Sequence, residues 1–106
     1  MSPAGYNNLG YVQFHDSAYF HAVQAFGRAC QLAPYHADSW AGLALSLEAI
    51  DRPADAAEAL RKAIALDPRY AHPQQLVKAL LWEPAEADKL QRVIDRVLGR
   101  EKSQAP

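Results

Sequence analysis

Residues 40–68 read WAGLALSLEAIDRPADAAEALRKAIALDP, and residues 6–34 read YNNLGYVQFHDSAYFHAVQAFGRACQLAP. Shifted by 34 positions, the span 3–36 falls on 37–70 with Leu9 on Leu43, Ala22 on Ala56, Ala25 on Ala59, Ala29 on Ala63, Leu32 on Leu66 and Pro34 on Pro68. A period of this length marks a helix-turn-helix unit repeated along the chain. One such unit cannot bury its apolar face alone, so units stack into a superhelix whose curved inner surface binds other proteins. The predicted fold is all-α.

Within each unit the helices are legible. Ser2 and Pro3 open a helix to about His15, with Tyr6, Leu9, Gly10 and Gln13 on its packing side. Asp16 and Ser17 are expected to cap the next, where Tyr19, Ala22, Val23, Phe26, Ala29 and Cys30 recur at three- and four-residue steps until Pro34. Asp38 or Ser39 should cap a helix carrying Trp40, Leu43, Ala44 and Leu47. Pro53 begins its partner, carrying Ala56, Ala57, Leu60, Ala63 and Ile64 and ending at Asp67-Pro68. Small residues at Gly10 and Ala44 allow close helix crossing.

Further along, Pro73 predicts a helix to about Trp82, and Glu83-Pro84 another to Leu98, with Gly99 as its C-terminal cap. Leu90, Val93, Ile94, Val97 and Leu98 form one stripe of that last helix; Lys89, Arg92, Asp95 and Arg96 form the other, suiting a cap with a solvated outer face. The expected organisation is a single domain over 1–106 of about six helices. Repeats occupy about 3–36 and 37–70, a degenerate third unit and capping helix about 71–99, and a loose tail 100–106.

Half of the 106 residues are apolar and 22% are charged, a globular composition. A net charge of −1 provides no field for polyanions and disfavours nucleic acid as a partner. Residues 1–50 hold one basic residue, Arg28, against Asp16, Asp38 and Glu48, and are rich in aromatics: Tyr6, Tyr11, Phe14, Tyr19, Phe20, Phe26, Tyr35 and Trp40. Such asymmetry implies a covered surface. The single Cys30 supports neither a disulfide nor a thiolate metal site and reads as core filler. Without a signal-peptide pattern or a membrane-length apolar run, a cytoplasmic protein without membrane insertion is expected.

Trp40, Leu43, Ala44, Leu47, Ala56, Leu60, Ala63 and Pro68 match, at every step, the pattern of the tetratricopeptide repeat. The first unit matches through Tyr6, Leu9, Gly10, Ala22, Phe26, Ala29 and Pro34, departing at Gln13, where a large apolar residue is usual. The resemblance covers about residues 3–70 and fades beyond them. It implies a short superhelix in which the first helix of each unit lines a concave groove. That geometry puts Asn7, Asn8, Tyr11, Phe14 and His15, then Asp38, Ala41, Gly42, Leu45 and Glu48, then His72, Gln75, Leu76, Ala79 and Trp82 on the inner wall.

Among these, Asn7, Asn8, Tyr11, Phe14, Leu45, His72, Gln75, Leu76 and Trp82 are the candidate peptide-binding residues. The asparagines are poor helix formers able to donate and accept together, as reading a peptide backbone requires. Tyr11, Phe14, Leu45, Leu76 and Trp82 supply an apolar floor. One subtype clamps an acidic C-terminus with lysines, an arginine and asparagines; here Asn7, Tyr11, Gly42, His72 and Leu76 occupy the matching positions, and the one asparagine stands at the wrong place, which disfavours that clamp. Tyr6 and Phe20 mark an edge that a homodimer would cover, since a two-fold contact pairs one patch with itself.

The four histidines have neither the spacing nor the companions of a metal site. No catalytic constellation, phosphate loop or cofactor motif is present, so no catalytic residue, metal or cofactor is assigned and an enzyme is not expected. The stretch from Phe26 to Leu47, with Cys30, Pro34-Tyr35, Trp40 and Gly42-Leu43, is also similar to the middle repeats of type III secretion translocator chaperones. The leading expectation is a protein–protein interaction module, an adaptor or assembly factor holding a protein or peptide client. The alternatives are a small secretion-type chaperone, or a non-catalytic fragment or subunit of a larger enzyme assembly.

Overall fold

Each helix begins where its local chemistry stops competing with it. In a computed structural model of the chain, which describes residues 1–74 and 84–97, α1 spans Pro3–His15, α2 Tyr19–Leu32, α3 Ala37–Ala49 and α4 Pro53–Leu66. A 3₁₀ turn over Pro68–Ala71 follows, and α5 spans Pro84–Val97. The Ser2 hydroxyl accepts from the Gly5 N–H at 3.0 Å, and Pro3 and Pro53 occupy first-turn positions where no N–H is needed. The expected third-unit helix falls largely, and Leu98, Gly99 and the tail entirely, outside the described residues.

The repeat extends to the backbone hydrogen bonds. At the α1–α2 turn the Ala18 N–H donates to Gln13 O at 2.8 Å, and at the α3–α4 turn Arg52 N–H donates to Leu47 O at 2.9 Å, 34 residues later. In both turns the preceding residue is left-handed, Ser17 at φ 62° and Asp51 at φ 61°. This six-residue closure satisfies the last carbonyls of each first helix.

Two capping expectations are corrected by these turns. Ser17 serves as the left-handed turn residue, while α2 begins after Ala18 with no side-chain cap. α3 starts at Ala37, upstream of Asp38 and Ser39, which leaves both side chains free to turn toward α1.

Antiparallel pairs α1–α2 and α3–α4 stack through α2 and α3, and α5 lies against α3 and α4. The pivot is Phe26, fully buried on α2. A Cβ added at Gly10 of α1 would stand 2.8 Å from its ring, and one at Gly42 of α3 would run into the same ring. Both glycines are therefore sites of close helix approach, with one aromatic ring filling the space they leave. Gly42 belongs to this clasp, a correction to its expected place on the inner wall. Ala22, Ala29, Ala56 and Ala63 complete the alanine-lined crossings with no exposed surface.

Candidate peptide-binding surface

The facing sides of α1 and α3 carry a polar seam centred on Asp38. Its Oδ2 accepts from Asn7 Nδ2 at 3.0 Å, and its Oδ1 accepts from the hydroxyls of Tyr11 at 3.1 Å and Tyr70 at 2.9 Å. Ser39 donates its hydroxyl hydrogen to Asn7 Oδ1 at 2.9 Å. His36 Nδ1 lies 2.8 Å from the same hydroxyl and, with that hydrogen already committed, must itself be the donor. Burial, reinforced by the negative Asp38 carboxylate, pushes the Tyr70 phenol pKa well up, so Tyr70 remains a hydrogen-bond donor.

Asn7 is thus buried, and the paired donor and acceptor that the sequence offers to a peptide backbone are both used by α3 of the same chain. Tyr11 is half-buried with its ring edge-on to Phe26 at 4.9 Å. Asn8 and His72 are exposed. Gln75, Leu76 and Trp82 lie outside the described residues. On the proposed dimer edge, Phe20 is 69% exposed, whereas Tyr6 is half-buried beneath the Arg28 guanidinium.

Phe14 and Leu45, expected as an exposed groove floor, are buried at 5% and 2% exposure and form the base of a cleft of about 300 Å³. Its other lining residues are Tyr19 at the start of α2, Glu48 and Ala49 at the end of α3, and Lys89 and Arg92 on α5. Phe14 packs edge-on to Tyr19 at 5.3 Å, and the Lys89 ammonium stands 5.0 Å over the Phe14 ring. Leu90, Val93 and Ile94, fully buried, join Phe14, Ala41 and Leu45 in one apolar cluster.

The cationic stripe of α5 is therefore more than a solvated face. Arg96 grips Glu48 with both arms, at 2.7 Å each, and Lys89 covers Phe14. Tyr19, Lys89 and Arg92 were not among the sequence's candidates. The available signal was spacing: Lys89, Arg92 and Arg96 follow at three- and four-residue steps and share a helix face.

Gln13, the departure from the repeat pattern, has its side-chain carbonyl oxygen buried without a hydrogen-bond partner among the described residues. The Cys30 thiol is pushed up to about 12 by burial, with Lys62 pulling weakly the other way, so it remains protonated at neutral pH. No group of three or more His, Cys, Asp or Glu side chains able to hold a metal ion is found among the described residues. No helix among them is long and apolar enough to cross a membrane.

No protein-family model and no curated protein matches the chain. Solved structures do match. The type III secretion translocator chaperone SycD of Yersinia enterocolitica, in its alternative dimer, superposes with a TM-score of 0.61 at 17% identity over 95% of this chain and 79% of that one. MamA superposes with a TM-score of 0.64 at 22% identity over 98% of this chain and 61% of its own, so the present chain spans about three fifths of MamA. At these identities the likeness concerns the fold, which is all-helical and tetratricopeptide-like.

Proposed function

We propose that this chain is a protein–protein interaction module that holds a peptide or protein segment on the inner surface of its helical stack, as an adaptor or assembly factor without catalytic chemistry. The observation that carries this is the cleft at the ends of α1 and α3, where half-buried Tyr19 stands over the buried side chains of Phe14 and Leu45 beside two cations. Aromatic and aliphatic side chains preset in a concavity supply contact area at low entropic cost. Tyr11, Asn8 and His72 flank the same face in the repeat register and belong to the proposed surface.

A chaperone holding a client protein is the second reading, favoured by the fold likeness to the SycD chaperone. The exposed Phe20 supports a homodimer contact on α2, away from the inner surface. Light scattering at micromolar concentration tests it: a monomer unaffected by Phe20→Asp rules the contact out.

The main proposal is tested by selecting peptides from a random displayed library on the folded chain and titrating the enriched ones into isotope-labelled protein. Amide shifts at Phe14, Leu45 and Glu48 are expected. Enriched peptides that shift only the outer helices, or a library yielding no enrichment, overturn the proposal.

A further inference from the structure

The cleft carries charge as well as apolar area. Its one carboxylate, Glu48, is held by both arms of Arg96 and is unavailable to the other cations. Asp95, also on α5, accepts from Gln91 at 2.8 Å. Among the described residues neither Lys89 nor Arg92 has a carboxylate within ion-pair distance, although Asp88 stands one turn before Arg92. Lys89 rests over the Phe14 ring, and Arg92 is exposed at the rim.

Two unneutralised cations beside an apolar floor, in a chain of net charge −1, form a local field that the whole molecule lacks. A segment entering here meets positive charge and hydrocarbon within one side chain's reach. Guanidinium and ammonium groups both bond strongly to carboxylates, and a partly enclosed rim strengthens those bonds.

We infer that the cleft receives an acidic peptide segment of a partner protein, with a large apolar side chain seated over Phe14, Tyr19 and Leu45 and its flanking carboxylates on Lys89 and Arg92. A cleft of about 300 Å³ holds one such side chain rather than a folded surface. The cations come from α5 and not from inner positions of α1 or α3. This site rests on the interaction-module reading and specifies its ligand.

The test is fluorescence anisotropy with a short labelled peptide carrying a leucine flanked by aspartates, and a counterpart carrying asparagines. The aspartate peptide is expected to bind about tenfold more tightly than the asparagine peptide, and Lys89→Gln with Arg92→Gln to remove that advantage. Arg61→Gln, an exposed α4 cation outside the cleft, should leave both affinities unchanged, and circular dichroism should show all variants equally helical.

Equal affinity for the two peptides, no binding up to millimolar concentration, or an equal loss in the Arg61→Gln variant overturns the acidic-ligand site. Library-selected peptides that bind the inner surface yet are not acidic and ignore Lys89→Gln with Arg92→Gln overturn it too, while leaving the interaction module standing. Only the absence of any inner-surface ligand removes both.

Discussion

Asn7, Tyr11 and Phe14 on α1 occupy the same positions of the repeat as Ala41, Leu45 and Glu48 on α3, 34 residues later. The first set meets α3 through a hydrogen-bonded seam converging on Asp38, with Phe14 left to floor the cleft. The second set meets α5 through an apolar cluster and a two-armed ion pair. Equivalent backbone positions therefore hold neighbouring helices by different forces. A seam of directional bonds works in one register, because each donor has its own acceptor and sliding orphans buried groups. An apolar stripe tolerates displacement, since hydrophobic attraction has no direction.

The largest expected effect comes from breaking the two junctions separately. Asp38→Ala removes the acceptor of three donors at once and should cost about 3 kcal/mol, whereas Glu48→Ala, a half-exposed pair, should cost about 1 kcal/mol. Urea titrations of the two variants measure the difference. Equal losses would show that the polar seam is no more specific than the ion pair.

The glycine clasp sharpens the same contrast. Gly42→Ala should destabilise by about 2 kcal/mol even though alanine is the better helix former, because the new methyl meets the Phe26 ring. Adding Phe26→Leu, which places in unit one the residue that Leu60 is in unit two, should recover part of that loss. Thermal melts of the single and double variants decide; simple additivity would place the strain elsewhere.

The smallest effect is pH-dependent. The folded Cys30 pKa, pushed up to about 12, lies above the ordinary thiol value, so its contribution is fully present below that ordinary value and is lost as pH rises toward 12. At pH 10 the cost should be about 1 kcal/mol relative to neutral pH. Tyr70, raised by burial and by Asp38, adds a loss of the same sign above the usual phenol range. Cys30→Ala should flatten the first part of the decline in alkaline urea titrations, and an unchanged slope would sink the assignment.

The repeat and its helix pairs are legible because helical periodicity and proline placement are local signals, whereas the burial of Phe14 and Leu45 beneath α5 depends on a helix that no local signal places. Sequence marks Asp38 or Ser39 as a cap, since such residues near a helix start usually serve the nearest N–H groups; Asp38 does not. It instead serves α1 and Tyr70, a choice set by helices about 30 residues apart in sequence approaching within hydrogen-bond reach. Gly42 departs from its expected inner-wall place for a related reason. Its role depends on the ring of Phe26, which no spacing rule places against it.

Sequence alone determined the two 34-residue units, the all-α class, the alanine and glycine crossings and the absence of a long-range field. These follow from period, composition and charge, which do not require knowing what lies opposite each residue. The tertiary structure decided that the Asn7 amide serves α3, that Arg96 reaches Glu48 and that Lys89 and Arg92 border the aromatic cleft. A side chain's hydrogen bonds and charge environment depend on its partner as much as on itself, and partners on separate helices are chosen only when the stack closes.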